Sequence, residues 1–152
     1  MSPELVALFE RLKRTAMFAS VAFDDVNATN SDGDNALHWA ARSNDLTAAR
    51  LLIEAGIEVN QRGDLGRTPL HEACAVGHSD MVAFLVSKGA DLYAETEGDI
   101  PFGVARLNGR DHICAVLRPL MDEAQRADPQ IWVRVRIEHL KREIRRLEAL
   151  LA

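Results

Sequence analysis

Gly66-Arg67-Thr68-Pro69-Leu70-His71-Glu72-Ala73-Cys74 has a counterpart displaced by 33 residues, Gly33-Asp34-Asn35-Ala36-Leu37-His38-Trp39-Ala40-Ala41. The register holds to the end of the unit: Leu52-Ile53 falls on Leu85-Val86, Gly56 on Gly89, and Glu58-Val59 on Asp91-Leu92. A fixed period of this length marks an architecture in which no single unit can bury its apolar face and neighbours must stack.

Working outward, a third copy begins at Gly98-Asp99-Ile100-Pro101-Phe102-Gly103-Val104-Ala105, displaced by 32 residues, and continues with Gly109 under Gly77 and Leu117 under Leu85. It is degenerate, one residue short before its turn. Upstream, Asp25-Val26-Asn27-Ala28 matches Glu58-Val59-Asn60-Gln61 at the same 33-residue step, with Phe23 where the repeats carry Gly56 and Gly89. Residues 4 to about 20 are therefore expected to form a helix serving as an N-terminal half-repeat, its apolar positions Leu5, Leu8, Phe9 and Leu12 lying on one face.

Each unit combines a glycine-marked turn, a short helix opening at Thr68-Pro69 or its equivalent, and a second helix over 46–54 or 80–88. Pro69 stands at a helix start, where its missing N–H costs nothing. Gly56 and Gly89 stand just past helix ends, where a left-handed backbone is expected. The first copy departs with Asn35-Ala36 for Thr-Pro and Asn44 for glycine; the third lacks the histidine, with Gly103 in its place. Pro119 predicts that the second helix of the third copy ends near Arg118.

Together, the T-P-L-H-x-A core (residues 68–73), Gly77-His78 and the Gly89-Ala90-Asp91 ending resemble ankyrin repeats over residues 20 to 118. The resemblance implies an all-α ankyrin-repeat solenoid with β-turn tips. Its expected parts are a capping helix and half-repeat (1–30), two repeats (31–63 and 64–95), a degenerate repeat (96–127) and a long C-terminal amphipathic helix (128–152).

In that tail, Asp128-Pro129 reads as an N-cap followed by proline, opening a helix to about Leu151. Val133, Ile137, Leu140, Ile144, Leu147 and Leu151 step by alternating four and three, a heptad seam. Ile131, Val133, Val135 and Ile137 also alternate as a half-buried strand would. The seam has two readings: a cap folded over the last repeat, or pairing with another chain. A parallel homodimer would set Arg136 near Lys141 and Glu143 near Glu148, like charges together, which leaves antiparallel or heterotypic pairing open.

The net charge of −5 is uneven: residues 1–128 hold 12 Lys/Arg against 20 Asp/Glu, and residues 129–152 hold 6 against 3. An acidic body disfavours nucleic acid as a partner. The start carries Glu4 and Glu10 and lacks a signal-peptide pattern. No apolar run approaches the roughly 20 residues of a membrane span. The expectation is a cytoplasmic protein, its two cysteines, Cys74 and Cys114, buried and reduced.

His71-Glu72-x-Cys74 with His78 has zinc-ligand residue types, but the repeat register already accounts for both histidines, so neither a metal nor a cofactor is expected. No phosphate loop, nucleophile elbow or dinucleotide fingerprint occurs, and no enzyme activity is expected. The resemblance implies instead a protein-binding module, an intracellular adaptor or regulator, with oligomerisation through the tail as the alternative. Its concave groove would be lined by the tips Ser31, Asp32, Asp34, Asp64, Leu65, Arg67, Glu97 and Asp99 and by the helix ends Arg42, Ser43, Ala75, Val76, Leu107 and Asn108. Trp39 is either an anchor in that groove or a ring packed between helices. The predominance of aspartate and glutamate at the tips implies a protein partner with a basic patch.

Overall fold

The computed structural model describes residues 1–96 and 98–151, and its helices are α1 (Pro3–Leu12), α2 (Ala36–Ser43), α3 (Leu46–Glu54), α4 (Pro69–Val76), α5 (Ser79–Ser87), α6 (Pro101–Leu107), α7 (Asp111–Ala127) and α8 (Ile131–Leu151). Local chemistry closes the repeat helices. Thr68 is the N-cap of α4 with Pro69 at the first position, and Asn35 caps α2 by accepting from the Leu37 and His38 amides. At the other ends, Gly77 (φ 100°) and Asn44 (φ 56°) turn left-handed, asparagine being the substitute that tolerates this region best.

The inner helices α2, α4 and α6 stack in a row, and α3, α5 and α7 pack behind them. Small residues let the helices approach: Ala36, Ala40, Ala41, Ala49, Ala73, Cys74 and Ala105 are fully buried together with Leu37, Leu52, Leu70, Met81, Leu85, Ile113 and Leu117. An asparagine ladder stitches the turns across repeats. Asn27 Oδ1 accepts the Glu58 amide (2.6 Å) and Asn60 Oδ1 accepts the Asp91 amide (2.8 Å), one repeat apart.

The N-terminal cap buries Leu5, Leu8, Phe9 and Leu12 as expected, but α1 ends at Leu12 and does not reach residue 20. The Thr15 amide and hydroxyl both donate to the Leu12 carbonyl, and the chain turns so that Phe18 enters the core. Phe23 takes the left-handed conformation (φ 53°) that glycine supplies in the repeats. A bulky residue pays strain there. Stacking of its ring on Phe9 (centroids 4.4 Å apart) and burial beside Phe18 offset that strain.

Two expectations about the C-terminal third are corrected. Helix α7 runs through Pro119 to Ala127 instead of ending near Arg118. Ala115, whose carbonyl loses its bond to the missing N–H, lies on the exposed side, open to solvent, while Leu117 and Met121 hold the helix to the body on either side of the proline. The Tyr93 hydroxyl also donates to the Met121 carbonyl (3.2 Å). The tail is helical, which removes the strand reading, and it starts at Ile131 after Asp128 accepts the Gln130 amide.

The second correction concerns its seam, which does not cover the last repeat. Helix α8 meets the body through its other face: Trp132 packs edge-on against Tyr93 (4.8 Å), His139 Nδ1 lies 2.8 Å from Glu95 Oε2, and Arg142 pairs with the same carboxylate.

Candidate concave binding face

The inner helices carry the same position of the repeat at Trp39 and Glu72, and both side chains are clamped by arginines. Trp39 is half-buried against the core, with the Arg11 guanidinium 5.0 Å from its ring centre. Arg11 is held in turn by Asp45 at 2.8 Å. Glu72 is buried; Arg42 Nε donates to its Oε2 at 3.0 Å, and Arg67 lies 3.7 Å from its Oε1. A buried carboxylate persists only when paired in this way. These clamps tie α1 to α2, and α2 to α4, so the floor of the face is rigid.

Both motif histidines serve the backbone. His71 Nδ1 accepts the Thr68 amide (3.0 Å), which leaves the proton on Nε2 to point at the Asp99 carbonyl of the next turn (3.4 Å). His38 does the same with the Asn35 amide and the Arg67 carbonyl (3.1 Å each). Burial pushes the His71 pKa down to about 4 and lowers that of His38 as well, so both rings are neutral near pH 7. His78 reaches the Arg42 carbonyl (3.2 Å), which ties the end of α2 to the turn before α5. Cys74 is buried and its thiol is pushed up to about 12 by that burial, an inert core group; Cys114 is half-buried, less enclosed than expected, and both are free. Among the described residues, no group of three or more His, Cys, Asp or Glu side chains is placed to hold a metal ion, and no helix is long and apolar enough to cross a membrane.

The tips divide into two groups. Ser31, Asp32, Asp64 and Leu65 are exposed, as are Arg42, Ser43, Val76, Leu107 and Asn108 at the helix ends; Arg67, Ala75 and Asp99 are half-buried. Asp34 is not a surface group: it is 3% exposed, its Oδ1 accepts the Asp64 amide (3.1 Å) and lies 3.7 Å from His38 Nε2. It is a strut between adjacent turns. Glu97 lies outside the described residues. The acidic character expected of the tips therefore reduces, among exposed described positions, to Asp32 and Asp64.

The Asp34 strut explains Gly63. A Cβ there would fall 1.8 Å from Asp34 Oδ1 and 3.0 Å from His38 Nε2, neither of which has room to retreat. Gly63→Ala is expected to cost about 2 kcal/mol. Gly56→Ala, with φ 87° and open space around it, should cost about 1 kcal/mol from backbone strain alone. Urea denaturation of the two variants side by side tests this: equal losses would mean that the strut has no energetic weight.

Three of the expected groove residues, Leu65, Val76 and Leu107, are apolar, a feature that the charge-based reading of the tips left out. Leu65 is 53% exposed at φ 53°, and Val76 and Leu107 are 37% and 70% exposed on helices whose opposite sides are fully buried. A leucine forced left-handed at a turn tip is a costly way to fill a solvent position.

A family model described as ankyrin repeats (3 copies) matches residues 6–96. The match ends before α6, which nevertheless packs on α4 as α4 packs on α2. Mouse protein phosphatase 1 regulatory subunit 27 is 37% identical over 93 residues, 60% of this chain and 58% of that protein. Human ankyrin repeat domain-containing protein 49 is 46% identical over 66 residues, 43% of this chain and 28% of its own length. Human palmitoyltransferase ZDHHC13 is 40% identical over 85 residues, 55% of this chain and 13% of that protein. The chain spans about half the length of the phosphatase subunits it matches.

Proposed function

Since the chain belongs to the ankyrin-repeat family, we propose that it is a non-catalytic adaptor or regulator that holds a partner protein against the concave face of its short stack. The observation that carries this reading is the exposed apolar set Leu65, Val76 and Leu107 on a face whose floor is locked by the Arg42–Glu72–Arg67 clamp. Rigid polar floors with exposed apolar anchors suit recognition, because little ordering entropy is lost when the partner arrives. The regulatory-subunit relatives support a binding role. The palmitoyltransferase is matched over only 13% of its length, which lends no weight to catalysis here.

The face is small, so a peptide-like epitope fits it better than a broad surface. Asp32 and Asp64 favour basic groups on that epitope, and the apolar row asks for two or three aliphatic or aromatic side chains.

Quantitative affinity capture from cell extract with wild-type chain, a Leu65→Ser/Leu107→Ser variant and a convex-face control, Glu54→Lys, tests the reading. We expect the double variant to lose its specific captures at least about tenfold, the scale of two truncated anchors, with an unchanged melting temperature, and the control to retain them. Recovery of the same proteins by all three would sink the groove assignment. Asp32→Lys/Asp64→Lys should slow association and reduce its salt dependence.

A further inference from the structure

Helix α8 has one face on the body and another that no described residue covers. Ile131, Val135 and His139 are partly buried toward the stack, and Arg142 reaches Glu95. At about 100° per residue the seam of Val133, Ile137, Leu140, Ile144, Leu147 and Leu151 is centred about 180° away. Those six side chains are 40–88% exposed, an apolar stripe facing directly outward. The body-facing contacts, Tyr93–Trp132 and the Glu95 carboxylate shared by His139 and Arg142, hold the helix in the orientation that presents the stripe.

We propose that this stripe is the pairing surface for a second copy of the same chain, with the two α8 helices antiparallel. The seam is self-complementary about a two-fold axis at residue 142. Val133 then meets Leu151 of the second copy, Ile137 meets Leu147, and Leu140 meets Ile144, so no seam residue is left over and every layer joins a β-branched side chain to a leucine.

Charge selects this direction over the parallel one. In an in-register parallel pair Arg136 meets Lys141 and Glu143 meets Glu148, giving four like-charge contacts and no opposite one. In the antiparallel pair the Glu148 carboxylate of the second copy falls between Arg134 and Lys141, and this occurs twice by symmetry. Two like pairs remain, Lys141 and Glu143 each beside its own copy at the axis. Each body is docked on the side of its α8 turned away from the seam, through Tyr93–Trp132 and Glu95. Binding in the groove and pairing through the tail are separate properties, and loss of one leaves the other intact.

Sedimentation velocity of the full chain tests the pairing. Fewer than three heptads of seam suit a micromolar equilibrium, so the weight-average mass should rise from the monomer's 16.8 kDa toward twice that value between about 2 and 200 µM. Ile144→Asp should stay monomeric throughout with an unchanged thermal melt, since the residue is exposed in the monomer. Glu148→Arg should weaken pairing about tenfold, and adding Arg134→Glu should restore most of the loss. A constant monomer mass at about 200 µM, undiminished pairing by Ile144→Asp, or no restoration by the charge swap would each overturn the proposal.

Discussion

Replacing His71 with alanine is expected to cost about 3 kcal/mol of unfolding free energy and to lower the melting temperature by about 10 °C. The ring is fully buried and its Nδ1 is the acceptor for the Thr68 amide at the start of α4. Alanine strands that N–H in a dry interior and leaves a void the size of an imidazole, two separate losses. The other end is less sensitive. The Asp99 carbonyl keeps the Thr96 amide (2.9 Å) and hydroxyl (3.1 Å) when His71 Nε2 is gone. His78→Ala, which removes a more accessible ring bonded to one carbonyl, should cost about 1 kcal/mol. Calorimetry of the two variants decides the matter: a His71→Ala loss no larger than that of His78→Ala would show that the buried bridge is energetically idle.

The repeats were legible because their determinants are local and periodic. Helix starts at Thr68-Pro69 and Asn35, left-handed ends at Gly77 and Asn44, and the apolar face of α1 each depend on residues within one or two turns of chain. What escaped reading depends on contacts across the period. Asp34 looks like any turn-tip carboxylate until the next turn delivers the Asp64 amide to it; Gly63 was the one available hint, a glycine without a left-handed backbone that makes room for a neighbour. Pro119 signals a helix end by local rules, yet packing of residues on both sides carries α7 past it. The heptad seam was visible as a pattern, but its direction was not, because the polar residues that dock α8, His139 and Arg142, find their partner Glu95 more than forty residues away. Among the expected groove residues, Leu107 and Val76 were recognisable as positions, whereas their exposure is set by contacts that only the folded stack defines.

Lowering the pH from about 7 to 4 should remove about 3 kcal/mol of stability through His71 alone. Its pKa in the folded chain is pushed down to about 4 by burial, while the unfolded chain retains the ordinary value of 6.5. Above pH 6.5 the imidazole is neutral in both states, and the full stability is present. Below it the unfolded chain takes up a proton that the folded chain refuses, so unfolding becomes easier with each further step, until the folded ring also protonates near pH 4. The shift of His38 has the same sign and the same cause, so the two repeats lose stability together over the acid limb. The midpoint of urea unfolding should therefore be flat from pH 8 to about 7 and fall steeply between about 6.5 and 4. In a His71→Asn variant, less stable at neutral pH, the remaining dependence should be shallower, since the His71 proton no longer contributes to it. A wild-type midpoint that stays level down to pH 4.5, or an unchanged slope in the variant, would mean that these rings accept protons in the folded stack; the neutral bridges would then not be what joins one repeat to the next.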